Sequence, residues 1–66
     1  MNIILNGEPT IVPNGTTVTG LLDKLDLAGK RVAVEINGDI VPRSQHNTHS
    51  LSENDQIEVV VAVGGG

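Results

Sequence analysis

Short apolar stretches alternate with turn residues along most of this 66-residue chain. In the clearest stretch, Val32, Val34 and Ile36 alternate with less apolar neighbours, which is the period of a half-buried β-strand. The same reasoning predicts strands over residues 1–6, 10–12, 32–36, 40–41 and 57–63. The last stretch is apolar on nearly both faces, which predicts a central position in the sheet.

Asn-Gly pairs at positions 6–7, 14–15 and 37–38 separate these stretches. The two central residues of a tight hairpin turn need positive φ, which Asn and Gly adopt readily. The first and third pairs therefore predict hairpins. Pro13 and Pro42 are each expected to end a strand, because proline has no N–H to donate to a neighbouring strand.

One stretch has the periodicity of a helix. Four apolar residues follow the i, i+3, i+4, i+7 spacing of a single helix face: Val18, Leu21, Leu22 and Leu25. Thr17 is expected to cap this helix, with its hydroxyl accepting a hydrogen bond from a free backbone N–H. Gly29 is expected to end it, because glycine adopts the left-handed conformation that follows many helices.

The order strand, strand, helix, strand, short strand, strand predicts an α+β domain over residues 1–63. One apolar helix stripe can cover one face of a sheet. The simplest closed arrangement is a ubiquitin-like β-grasp: a mixed sheet whose first and last strands lie parallel at its centre, with one main helix packed across one face. The other face stays uncovered and carries Ile4, Val60 and Ala62. Such a patch often marks a docking surface, and Arg43 near its rim is a candidate partner contact.

The charge balance narrows the choice of partner. The chain has 4 Lys and Arg against 8 Asp and Glu, a formal net charge of −4. Nucleic acids and anionic membranes bind clustered cations, so neither is an expected partner. The first residues lack the basic segment of a signal peptide, and no apolar run is long enough to span a membrane. We therefore expect a cytoplasmic protein that is monomeric when free.

The segment 44–55 contains the residue types of a hydrolase triad or a metal site: Ser44, His46, His49, Ser50 and Asp55. No Gly-x-Ser-x-Gly motif surrounds either serine. Metal binding by the two histidines would need a helix, which Asn47 and Thr48 disfavour. The chain also has no Cys. We interpret these residues as solvated loop side chains, and we expect a protein that is not an enzyme and binds no metal.

The sequence finishes with three glycines, Gly64, Gly65 and Gly66. Ordering glycine is entropically costly, so residues 64–66 are expected to form a flexible tail. Without Cβ atoms the tail can thread a narrow channel in another protein, and it would reach about 10 Å when extended. Its terminal carboxylate is ionised near pH 7 and can attack the α-phosphorus of ATP inside a partner's active site. Gly66 is therefore the candidate reactive residue, and Gly64 and Gly65 are the candidate threading segment.

With these features in view, the chain resembles a known family. The run 37–43 (NGDIVPR), followed by 55–57 (DQI) and an apolar strand leading to Gly65-Gly66, is similar to the ThiS family, ubiquitin-like sulfur carriers of bacterial thiamine biosynthesis. The resemblance covers the whole chain. His46 stands where related chains often have an aromatic residue, and Gly64 adds a third glycine to the usual pair.

The resemblance implies a mechanism. A ThiF-like adenylyltransferase would use ATP and Mg²⁺ to adenylate the Gly66 carboxylate. Sulfur from a persulfide donor would displace AMP and leave a thiocarboxylate on Gly66. Thiazole synthase (ThiG) would then use this sulfur to build the thiazole ring. ATP and Mg²⁺ belong to the adenylating partner in this scheme, so the carrier itself needs no cofactor.

Other functions stay open at the level of sequence. The small subunit of molybdopterin synthase uses the same tail chemistry, although that family tends to be longer and more aromatic. A ubiquitin-like modifier would instead join its tail to lysines. In a β-grasp regulatory or RNA-binding module the tail would be incidental, and the acidic charge counts against RNA.

Overall fold

The computed structural model describes residues 1–62 of the chain. Their regular elements, in chain order, are β1 (Asn2–Leu5), β2 (Glu8–Ile11), α1 (Val18–Lys24), β3 (Val32–Ile36), β4 (Asp39–Ile40), a 3-10 helix (Arg43–Gln45) and β5 (Gln56–Val61). The strands form one sheet in the order β2-β1-β5-β3-β4. β1 and β5 are parallel, and the other neighbours are antiparallel. The predicted mixed sheet with adjacent, parallel first and last strands is confirmed.

Two Asn-Gly turns make the two hairpins. Asn6 and Gly7 join β1 to β2 with φ of 49° and 83°, and Asn37 and Gly38 join β3 to β4 with φ of 53° and 90°. Positive φ at both central residues matches the turn twist to that of the flanking strands. Both predicted hairpins are therefore confirmed. The second strand of the later hairpin ends at Ile40, one residue earlier than predicted.

Helix α1 begins as predicted but ends earlier. The Thr17 hydroxyl accepts a hydrogen bond from Gly20 N at 3.1 Å, which caps the first turn. The prediction that Gly29 ends the helix is wrong, because the chain turns at Asp26, where φ is 61°. Leu27 N donates to Leu22 O at 2.8 Å and Asp26 N to Asp23 O at 3.0 Å. This pair of bonds is a Schellman motif, which needs a left-handed residue at position 26.

The core lies between one sheet face and α1. It contains only aliphatic side chains: Ile3, Val12, Val18, Leu21, Leu22, Val34, Ile36, Val41, Leu51, Ile57 and Val59. Leu5 and Leu25 are half-buried and pack against this cluster. The predicted packing of the helix stripe on one sheet face is confirmed. Among residues 1–62, no helix is long and apolar enough to cross a membrane.

The segment after β4 contains buried polar groups, which corrects our interpretation of its side chains as solvated. His46 is only 7% exposed, and its Nε2 lies 3.1 Å from Val41 O. Asp55 is 8% exposed and accepts hydrogen bonds from Asn37 Nδ2 at 3.0 Å and Ser52 N at 2.8 Å. Burial of these groups is tolerated because each has a hydrogen-bond partner.

The other polar residues of that segment behave differently. Ser44 and Ser50 are exposed, as interpreted from the sequence, and His49 is half-buried. This segment, interpreted from the sequence as a loop, begins with a short regular element, the 3-10 helix Arg43–Gln45.

Candidate functional site

The central strand β5 leads directly to the candidate tail. It pairs with β3 from Ile36↔Ile57 to Val32↔Val61, and Ala62 N then donates to Arg31 O at 2.9 Å. β3 therefore supports β5 as far as the last described residue. The predicted domain end at 63 and the predicted tail residues Gly64, Gly65 and Gly66 lie outside the described residues.

The pairing of β5 with β1 ends earlier along β5 than its pairing with β3. The parallel pairing ends at Leu5↔Ile57, and Asn6 N donates to Ile57 O at 2.8 Å. Beyond Ile57, the contact is made by the Asn6 side chain, whose Oδ1 accepts a hydrogen bond from Val59 N at 2.9 Å. A turn residue thus extends the contact with β5 by two positions.

The sheet face opposite α1 carries the predicted docking residues. Residues of β5 alternate, so Ile57 and Val59 are buried in the core while Val60 is 59% exposed on the other face. Val60 lies opposite Ala33 of β3 in the ladder. Ile4 is on the same face, since it pairs with Gln56, but it is half-buried.

An open groove of about 540 Å³ lies on this face at the end of β5. Its walls and floor come from six residues: Arg31, Val32, Ala33, Arg43, Val60 and Ala62. The structure therefore brings together three of the four predicted docking residues, Val60, Ala62 and Arg43. Ile4 lies on the neighbouring strand and does not line the groove. Docking itself stays a prediction.

Three lining residues, Arg31, Val32 and Ala33, were missed as groove residues by sequence reasoning, which had placed Val32 only in a strand. Arg31 reaches the groove because it precedes β3 and its carbonyl accepts the Ala62 N–H. Ala33 reaches it because of its register opposite Val60. The signal that could have found all three is the pairing register of β3 with β5, which also puts Val32 opposite Val61 and which follows once the two apolar faces are aligned.

Arg43 is held at the mouth of the groove. Its Nη2 donates a hydrogen bond to Lys30 O at 3.3 Å, which ties the 3-10 helix to the segment that enters β3. The groove therefore has an apolar floor and two guanidinium groups, from Arg31 and Arg43, in its lining. Such a surface can bind an apolar side chain accompanied by carboxylates.

Two candidates for hydrolysis or metal binding, His46 and Asp55, are buried and engaged in hydrogen bonds within the fold. His46 is bonded to Val41 O and Asp55 to Asn37 and Ser52, so each has a structural partner. No group of three or more His, Asp and Glu side chains within residues 1–62 is arranged to hold a metal ion.

Comparison with known proteins places these features in a family. The sequence model of the ThiS family matches residues 3–66. The sulfur carrier protein ThiS of Escherichia coli is 36% identical over 66 residues, which cover 100% of both chains. A thiazole synthase of Magnetococcus marinus is 50% identical over 66 residues, but the chain spans only 20% of that protein.

The fold is shared with a solved structure. The crystal structure of a thiamine biosynthesis protein (ThiS) from Geobacter metallireducens superposes with a TM-score of 0.84 and 33% sequence identity, covering 100% of each chain. The β-grasp fold predicted from the pattern of strands and helix is confirmed by this similarity.

Proposed function

We propose that this chain, which belongs to the ThiS family, is a sulfur carrier that supplies sulfur for thiazole formation in thiamine biosynthesis. The observation that carries the proposal is the family match, which extends through Gly66, together with full-length similarity to the sulfur carrier of Escherichia coli. In this role the chain is a substrate of its partner enzymes and not itself a catalyst. Its reactive group is the carboxylate of Gly66.

The proposed chemistry has three steps. In a ThiF-like adenylyltransferase, a Gly66 carboxylate oxygen attacks the α-phosphorus of ATP and pyrophosphate leaves. The terminal sulfur of a persulfide then attacks the acyl carbon and expels AMP, which gives an acyl disulfide. A second thiol reduces this disulfide, becomes oxidised to a new disulfide itself, and releases the Gly66 thiocarboxylate. ATP and Mg²⁺ are bound by the adenylating partner, not by the carrier.

The described residues support this role through the base of the tail. Asn6 and β3 hold β5 from its two sides at Val59, and Arg31, just before β3, continues the contact to Ala62. The chain is thus held as far as Ala62, two residues before Gly64, which gives the tail a defined origin. The absence of Cβ atoms in Gly64–Gly66 suits passage through a narrow channel.

The proposed partners follow from the comparisons and the exposed face. In Magnetococcus marinus, a segment 50% identical to this whole chain is part of a protein called a thiazole synthase. Carrier and synthase sequences in one polypeptide support the proposal that this chain works with a thiazole synthase. The groove at Val60 and Ala62, beside the origin of the tail, is the proposed contact surface for both the synthase and the adenylyltransferase.

Intact-mass spectrometry tests the proposal. The chain is incubated with an adenylyltransferase from the same organism, MgATP, a persulfide donor and a thiol. We expect a mass increase equal to the replacement of one oxygen by one sulfur, and fragmentation should locate it at Gly66. Omission of ATP is the control and should leave the mass unchanged. An unmodified chain in the complete mixture, when the Escherichia coli carrier is modified under the same conditions, would contradict the proposal.

A further inference from the structure

The exposed face of β3 and β5 has an acidic end. Glu35 lies directly opposite Glu58 in the antiparallel ladder. Cβ atoms in such pairs are about 5 Å apart, so the two carboxylates repel each other. Both side chains line an open groove of about 410 Å³ near the β3–β4 turn, and within residues 1–62 neither donates to nor accepts a hydrogen bond from another side chain.

The opposite end of the same two strands is cationic. Arg31 and Arg43 line the groove beside Ala62, and Arg43 is anchored to Lys30 O. Both arginines of this chain of net charge −4 therefore lie at this end of the face. Of the two lysines, Lys24 lies in the last turn of α1, and Lys30 gives Arg43 its backbone carbonyl but does not line the groove.

An apolar strip separates the two charged ends. Val60, 59% exposed, lies opposite the small side chain of Ala33 and forms the floor of the groove between them. From Glu58 to Ala62 the strand rises by four residues, or about 13 Å. The face therefore has a charge order along β5: negative, apolar, positive, then the tail.

We propose that this face docks a protein surface of the opposite polarity. The partner surface carries carboxylates opposite Arg31 and Arg43, an apolar side chain over Val60, and lysines or arginines opposite Glu35 and Glu58. This inference rests on the proposed function, because it takes the docked protein to be an enzyme that receives the tail. Complementary charge of this kind accelerates association and fixes orientation more than it adds affinity.

The charge order also predicts where the partner's active site lies. The last described residue, Ala62, lies at the cationic end of the face, where its N–H donates to Arg31 O, and the tail follows it in the sequence. A partner bound in the complementary orientation places its acidic patch there. The entrance to the channel that accepts the glycines is therefore next to that acidic patch, and the basic patch lies on the side away from the entrance.

Charge-reversal variants with matched controls test the inference. The association rate constant of purified thiazole synthase from the same organism is measured by stopped flow at low and high salt. Arg43→Glu is compared with Lys24→Glu, and Glu58→Lys with Glu8→Lys, so that each pair changes the net charge equally. Glu8 lies on the edge strand β2, opposite Leu5 rather than another carboxylate.

We expect Arg43→Glu and Glu58→Lys to slow association at least about 10-fold at low salt, and the two controls to remain within about twofold of the parent. The differences should shrink at high salt, where charges are screened. Equal rates for each variant and its control would overturn the inference while leaving the proposed function intact. No association of the unmodified chain with the synthase would contradict the proposed partner, and this inference with it.

A second copy of the chain is the competing occupant of this face. Because its ends have opposite charge, two copies could pair head to tail. Sedimentation of the parent and of Arg43→Glu decides between the two occupants. A monomer for both supports docking of a different protein, whereas a dimer that Arg43→Glu dissociates would overturn the inference.

Discussion

The side-chain amide of Asn6 hydrogen-bonds both backbone groups of Val59, with Oδ1 accepting from Val59 N at 2.9 Å and Nδ2 donating to Val59 O at 3.4 Å. Asn6 is also the first residue of the β1–β2 turn, where its φ is 49°. One residue thus reverses the chain and continues the contact of β1 with β5. This contact stabilises the strand from which the proposed sulfur-carrying tail begins.

Replacing Asn6 separates these two roles. Asn6→Gly keeps the positive φ of the turn but removes the amide, so we expect the free energy of unfolding to fall by about 1 kcal/mol for the one short hydrogen bond and the longer one. Asn54→Gly is the matched control, because Asn54 also has positive φ, of 67°. Urea unfolding checks both variants. Equal losses in the two would mean that the amide contact with Val59 contributes nothing.

The packing of α1 on the sheet makes a second prediction. Leu22 is 6% exposed in the aliphatic core, so Leu22→Ala leaves a cavity and should lower the free energy of unfolding by about 2–5 kcal/mol. Asp23→Ala, on the exposed side of the same helix, should change it by less than about 0.5 kcal/mol. Urea melts of the two variants, run side by side, measure the difference. A loss below about 0.5 kcal/mol for Leu22→Ala would be incompatible with the described core.

Glu58 should limit the stability of the domain. Glu58→Lys replaces a pair of like charges opposite Glu35 with a pair of opposite charges, so we expect the free energy of unfolding to rise by about 0.5–1 kcal/mol. Glu8→Lys makes the same change in net charge without facing a carboxylate, and it should raise stability less. Thermal melts at low salt provide the comparison. A Glu58→Lys variant no more stable than Glu8→Lys would show that the two carboxylates do not repel appreciably.

The hydrogen bonds of the Glu53 carboxylate should make the free energy of unfolding depend on pH. Hydrogen bonds from the backbone N–H of Asn2, at 3.0 Å, and from its side-chain amide, at 3.1 Å, lower the pKa of the Glu53 carboxyl below its usual value of 4.5. A lowered folded-state pKa contributes stability that is present above the unfolded value and lost as pH falls through the folded value. The stability difference between the parent and Glu53→Gln should therefore close below about pH 4.5. Urea melts across the acid range that show a constant difference would contradict this.

Local signals predicted most of the fold. The Asn-Gly turns at Asn6 and Asn37 and the cap at Thr17 each depend on neighbouring residues only, so their chemistry can be read directly. The central place of β5 followed from its apolar character on both faces. The helix end was missed because the left-handed residue that follows the helix is Asp26. Glycine adopts this conformation more readily than Asp, so the sequence favoured Gly29.

The burial of two polar residues, His46 and Asp55, was missed because it depends on contacts that the sequence does not reveal. His46 is buried because the turn after the 3-10 helix brings its ring to the Val41 carbonyl, and Asp55 because the β3–β4 turn brings the Asn37 amide to its carboxylate. The Asn37 partner of Asp55 is 18 residues away in sequence, whereas Val41 and Ser52 are near neighbours whose contacts depend on how the chain turns. The charge order of the docking face was hidden for the same reason, since Glu35 and Glu58 become neighbours only through the register of β3 and β5.

The central claim is that the Gly66 carboxylate is the group that reacts. Deletion of Gly66 leaves a carboxylate on Gly65 that is withdrawn by about 3.5 Å along an extended tail. Misplacement of an attacking atom by about 1 Å can cost 10²-fold in rate, so the remaining carboxylate should not rescue the reaction. Within residues 1–62 the buried core extends from Ile3 to Val59, so the deleted chain should melt like the parent.

The most direct measurement is ATP–pyrophosphate exchange catalysed by the adenylyltransferase of the same organism, with the parent and the Gly66-deleted chain as substrates, read beside a thermal melt of each. The account predicts exchange with the parent, a loss of at least about 10²-fold with the deleted chain, and the same melting temperature for both. Exchange at the parent rate by the folded, Gly66-deleted chain would contradict it.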